Sequence, residues 1–91
     1  MVSNPQELDE LLLEVSTDRE QSLILYNDDY NTFDWVIESL MKVCNHDPLQ
    51  AEQCSLIVHY RGKCAVKDGS YDRLKPMKEA LTDRGLNAVI E

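Results

Sequence analysis

The chain has 91 residues, a formal net charge of -8 at pH 7 and a pI near 4.6, which bounds it to one small domain with a single core and leaves no room for a catalytic domain beside a separate binding domain. So acidic a surface repels a phosphate backbone, so nucleic acid is excluded as a partner and a basic or cationic ligand is favoured. No apolar run approaches the roughly 18 residues of a membrane span, and the acidic start has neither the basic nor the apolar region of a signal peptide, so a monomeric cytoplasmic protein, off the membrane, is expected.

The acidic surplus is uneven. Met1 to Glu20 holds six acidic residues against Arg19 alone, around a short apolar patch of Leu8, Leu11, Leu12 and Val15. With so few apolar residues and no basic C-terminal turn, residues 1–20 are expected to be a mobile acidic arm and 21–91 the folded domain. Leu23-Ile24-Leu25-Tyr26 follows as an apolar run that stops at Asn27-Asp28-Asp29-Tyr30. Such a run bounded by turn formers reads as a buried strand that carries an amide and two carboxylates to the rim of the core.

A first helix is expected to start near Asn31 or Thr32, either of which can cap it, with Phe33, Val36, Ile37, Leu40, Met41 and Cys44 on one apolar face. Asp47-Pro48-Leu49-Gln50 carries an N-cap, a proline at the first helical position and a glutamine three residues after the cap, so a second helix runs to about Tyr60 and stops at Gly62. Lys63 to Lys67 is a short strand closed by the turn pair Asp68-Gly69. Ser70 can cap a third helix with Tyr71, Leu74, Met77, Lys78 and Leu81 inward and Gly85 as its stop, although Pro76 argues for a start nearer Lys75. Leu86 to Ile90 gives a last strand. The order β-α-α-β-α-β implies an α+β domain whose small sheet is covered mainly on one face.

Asn27, Asp28, Asp29 and His59 are all acceptors, a set that suits a cation with several N–H donors such as an ammonium group. The same residues also read as an ordinary turn after a strand and a half-buried helical histidine. An acidic pair at a strand end can hold a hard cation for phosphoryl transfer, but the length and the absence of a repeated strand-helix pattern argue against that. Cys44, His46, Cys54, His59 and Cys64 are possible metal ligands, yet the cysteines are odd in number and ten residues apart. Reduced thiols packed as small hydrophobes are the better reading, without metal or cofactor. Nothing pairs a nucleophile with a base or builds a glycine-rich phosphate loop, so no enzyme is expected.

The segments Asn27-Asp28-Asp29-Tyr30, Val36-Ile37, Ala51-Glu52-Gln53 and Val58-His59-Tyr60-Arg61-Gly62-Lys63 resemble, in order and spacing over about 20–91, the ClpS family of N-degron adaptors of the Clp protease. The resemblance implies a three-stranded antiparallel sheet packed on three helices. It also implies a binding module without catalytic activity, which captures proteins through a destabilising N-terminal Leu, Phe, Tyr or Trp and delivers them to a Clp AAA+ unfoldase. Positions matching Asn27, Asp28, Asp29 and His59 would bind the α-amino group, while Asn31, Phe33, Val36, Ser55, Val58 and Leu86 would line the side-chain pocket. Docking on the unfoldase N-terminal domain falls to Asp72, with Lys75 and Lys78 beside Met77, which occupies the family's lysine position. The acidic arm takes the place of an extension that assists delivery. Family members commonly carry Met where Phe33 and Ser55 stand, and Thr-Pro where Asn31-Thr32 stands. The bulk of Phe33 is expected to refill part of the space vacated at Ser55, whose hydroxyl gives a polar spot suited to Tyr or Trp. The rival reading is a domain that docks on the Clp unfoldase with a degenerate pocket.

Overall fold

Alternation along Gln21–Tyr26 makes strand β1 the centre of the sheet: Leu23 and Leu25 are buried on one face while Ser22, Ile24 and Tyr26 are half-covered on the other. The structure, a computed structural model, describes residues 19–91, so the expected acidic arm lies almost wholly outside the described residues. Helices α1 (Phe33–Cys44) and α2 (Pro48–Arg61) follow, then β2 (Lys63–Gly69), α3 (Tyr71–Asp83) and β3 (Asn87–Ile90). The sheet order is β2-β1-β3 with both pairings antiparallel. This is the α+β arrangement expected, with the helices packed on the Leu23 and Leu25 face.

Local chemistry explains the helix ends. Thr32 caps α1 by accepting the Trp35 N–H at 3.1 Å, and Asp47 caps α2 by accepting the Gln50 N–H at 2.7 Å with Pro48 in the first turn. Asn45 and Gly62 end these helices in the left-handed region, at φ 57° and 91°. Helix α3 ends in a Schellman turn, where Gly85 N–H donates to the Thr82 carbonyl and Leu86 N–H to that of Leu81. The turn drives the Leu86 side chain into the core.

Leu23, Leu25, Leu40, Leu74, Leu81 and Cys44 are the fully buried centre, each leucine contributing about 1.5–3 kcal/mol. Arg84 ties α1 to the end of α3. Its guanidinium lies 4.3 Å from the Trp35 ring centroid, its Nε donates to buried Ser39 Oγ at 2.9 Å, and its carbonyl accepts from Trp35 Nε1 at 2.9 Å. Beside β2, buried His46 donates Nε2–H to the Val66 carbonyl at 2.6 Å.

Five expectations are corrected. Strand β2 continues through Asp68 and Gly69, because β1 begins early enough to pair Ser22 with Asp68, and Ser22 Oγ donates to Asp68 Oδ1 at 2.6 Å. Helix α3 runs from Tyr71 straight through Pro76, held on the sheet by buried Leu74 and Leu81 on either side while Pro76 faces solvent. Tyr71 and Lys78 point outward, since a stripe through Leu74, Met77 and Leu81 leaves them on its flanks. Ser70 occupies the cap position but makes no side-chain cap bond; its carbonyl accepts from Arg73 and Leu74 instead. Met41 is also more exposed than the expected face implies, at 36%.

Candidate functional site

The last bond of the β1 end is not to a strand. Asn27 N–H donates to the Gly62 carbonyl at 2.8 Å, which brings the Asn27-Asp28-Asp29 corner against the C-terminal end of α2, where His59 and Tyr60 lie. Asp28 then organises the corner. Its Oδ1 accepts the backbone N–H groups of Tyr30 at 2.8 Å and Asn31 at 2.7 Å, and its Oδ2 accepts Asn31 Nδ2 at 2.8 Å. Burial by itself would raise the Asp28 carboxyl, but these hydrogen bonds from Asn31 and Tyr30 outweigh it and hold the group below its ordinary value. The second proton of the Asn31 amide goes to the Gly85 carbonyl at 2.8 Å, fixing the corner to the Schellman turn.

Between this corner, α1 and α2 opens a cavity of about 580 Å³. Its polar end is formed by Asn27, Asp28, Asp29 and His59, and its other end by Val36, Ser55 and Val58, with Phe33, Leu56 and Tyr60 at the mouth. Ser55 and Val58 are buried, at 2% and 4% exposure, whereas Asn27, Asp29 and His59 are open to solvent. The cavity is therefore amphipathic, with solvent-facing acceptors at one end and buried, mostly apolar side chains at the other. No Lys or Arg is among its lining residues, so two carboxylates set its potential and it attracts cations.

The candidate amino-group residues and most candidate pocket residues thus meet in one cavity. Leu86 does not line it. That buried side chain lines an adjoining recess of about 20 Å³, which shares Asn27, Asp28, Asn31, Val36 and Val58 with the cavity. Phe33, the first residue of its helix, lines the cavity with 41% of its surface exposed. Leu56 and Tyr60 escaped the sequence reading. Their signal was helical adjacency to Ser55 and His59, and the Tyr60 ring packs edge-on to His59 with centroids 4.9 Å apart. Asp72, Lys75 and Lys78 all lie on the exposed side of α3, away from the cavity wall.

The cysteines are apart from this site. Burial pushes the Cys44 thiol up to about 11, and burial followed by the neighbouring Cys54 does the same for Cys64. Both are protonated at neutral pH. Among the described residues no group of three or more His, Cys, Asp and Glu side chains could hold a metal, and no helix is long and apolar enough to cross a membrane.

A three-stranded sheet backed by three helices, with an amphipathic cavity where the central strand meets α2, defines a small α+β domain that presents one binding cavity. The family model of the ATP-dependent Clp protease adaptor protein ClpS matches residues 16–89, and the chain belongs to the ClpS family. Curated relatives are the ATP-dependent Clp protease adapter proteins ClpS of Escherichia coli O1:K1 / APEC, 46% identical over 46 residues, and of Enterobacter sp. (strain 638), 46% identical over 41 residues. These matches cover 48% and 45% of this chain and 43% and 39% of the relatives, so the chain spans less than half the length of the curated proteins it matches. A solved structure of Agrobacterium tumefaciens ClpS2 bound to L-phenylalaninamide shares the fold with a TM-score of 0.78 at 21% identity, over 81% of this chain and 96% of that one.

Proposed function

We propose that the protein captures polypeptides by their first residue and delivers them to a Clp AAA+ unfoldase. The observation that carries this reading is the single cavity with solvent-facing acceptors at one end and a buried apolar wall at the other. An N-terminal residue has the matching pair of features, a cationic amino group and a side chain on the same carbon. The L-phenylalaninamide held by the Agrobacterium protein is a ligand of that kind, with a free α-amino group and an aromatic side chain.

In this reading Asn27, Asp29 and His59 accept from the ammonium. Asp28 mainly holds the corner, since three of its roughly four lone-pair sites are already used. The α-amino group has a reference pKa of about 7.7–8.0, so it is mostly charged near neutrality. Hydrogen bonds to a charged group contribute about 1.5–3 kcal/mol each and a buried Leu or Phe side chain a similar amount. Two bonds and one side chain reach about 4.5–9 kcal/mol against the roughly 8 kcal/mol of micromolar binding, so both ends of the cavity are needed. Delivery would use the exposed face of α3, with Asp72, Lys75 and Lys78 as docking residues.

The test is fluorescence anisotropy with Leu- and Phe-starting peptides, each with a free and an acetylated N-terminus. Capture of the free form alone is expected, because acetylation removes the charge and leaves acceptors unpaired. His59→Ala is expected to weaken the free form by at least about tenfold. Equal affinity for free and acetylated peptides, or no binding of either, would favour the rival in which only docking survives.

A further inference from the structure

Ser55 is the polar exception on the buried wall of the cavity. It is 2% exposed, yet it lines the cavity beside Val58 and Val36. Its hydroxyl donates to the Ala51 carbonyl, one turn back in α2, at 2.7 Å. A hydroxyl has one proton and two lone pairs. With the proton committed to the helix, the Oγ has only acceptor capacity left for the cavity.

Such a point discriminates by what it cannot do. A purely apolar side chain seated against Ser55 leaves the acceptor dry and unpaired, whereas one ending in N–H or O–H satisfies it. Sites built to pair with a polar substrate group reject analogues that lack it more strongly than apolar walls reject a change of size. We infer that Ser55 makes this cavity donor-reading: it prefers a first residue whose side chain carries a hydrogen-bond donor, tryptophan or tyrosine, over an apolar side chain of similar size, because that donor bonds to Ser55 Oγ. This rests on the capture of N-terminal residues proposed above and specifies its substrate class. Space is sufficient, since a cavity of about 150 Å³ already admits benzene and this one has about 580 Å³ for an indole, the ammonium and the start of the next peptide unit.

The decisive comparison uses one peptide sequence beginning with tryptophan or 1-methyltryptophan, and with tyrosine or its O-methyl ether, each free and acetylated. Anisotropy titrations of the whole chain are expected to show the donor-bearing residue bound about tenfold tighter than its methylated partner, the value of one neutral hydrogen bond. In Ser55→Ala the ratio is expected to fall to about one, which separates a lost bond from crowding by the methyl group. Should Ser55→Ala not fold, phenylalanine against tyrosine and 3-benzothienylalanine against tryptophan, which lack the donor without adding a methyl group, decide on the parent protein. Equal binding of each pair, with free peptides still preferred to acetylated ones, overturns the role of Ser55 and leaves N-terminal capture standing. Failure to distinguish free from acetylated peptides overturns both.

Discussion

The backbone N–H of Asn27 donates to the carbonyl of Gly62 at 2.8 Å, so the exit of β1 and the end of α2 are held together by one main-chain bond beside the cavity. Gly62 makes that contact from φ 91°, and a Cβ placed there would have no heavy atom within 4 Å. Any penalty for Gly62→Ala is therefore backbone strain alone, about 1–2 kcal/mol. Urea unfolding should register that loss together with weaker peptide capture. An alanine variant as stable as the parent would show that the left-handed turn is not required.

Asp28 gives the corner a pH dependence of known sign. Its carboxyl is held below the ordinary value in the fold by N–H donors that overcome burial. Its stabilisation is thus fully present above about pH 4 and is lost as the pH falls through the folded value. Asp28→Asn keeps an oxygen for the Tyr30 and Asn31 N–H groups but loses the charge. The stability gap between parent and variant should be widest near neutrality and narrow as the pH falls below the ordinary carboxylate value. A gap of constant size would refute the assignment.

Pro76 stands inside α3 on its exposed side, where its ring removes an N–H from the Asp72 carbonyl. An interior proline costs about 3 kcal/mol relative to alanine, offset by about 1 through a stiffer unfolded chain. Pro76→Ala should therefore raise stability by about 2 kcal/mol in urea melts, with peptide affinity unchanged. Destabilisation would mean that the ring packs where its exposure says it does not.

Lys75 and Lys78 project from α3 and line no part of the cavity. Reversing both charges, Lys75→Glu with Lys78→Glu, should weaken binding to the isolated Clp unfoldase N-terminal domain by about tenfold at low salt, mainly through the association rate. Peptide anisotropy should not change. Retained unfoldase binding would move the docking face elsewhere on the surface.

Much of this protein was legible in its residues because the signals are local. Thr32, Asp47-Pro48 and Gly62 punctuate helices through their own backbone chemistry, and the alternation of Leu23 and Leu25 marks a strand with one buried face. The acceptor set of Asn27, Asp28, Asp29 and His59 was visible as composition, and the family pattern set it in order. Pro76 misled because local propensity argues for a break, while burial of Leu74 and Leu81 on both sides outweighs it.

The chain alone determined its six elements, their order and the residue types at the end of the first strand, since capping, turns and periodicity act within a few neighbours. Only the tertiary structure decided that His59 and the Asp28 corner share one cavity, that Leu86 turns to the core, that Phe33 lines the cavity and that the Ser55 proton is spent on its own helix. These depend on contacts between distant segments, which close packing fixes together and no short stretch of sequence encodes.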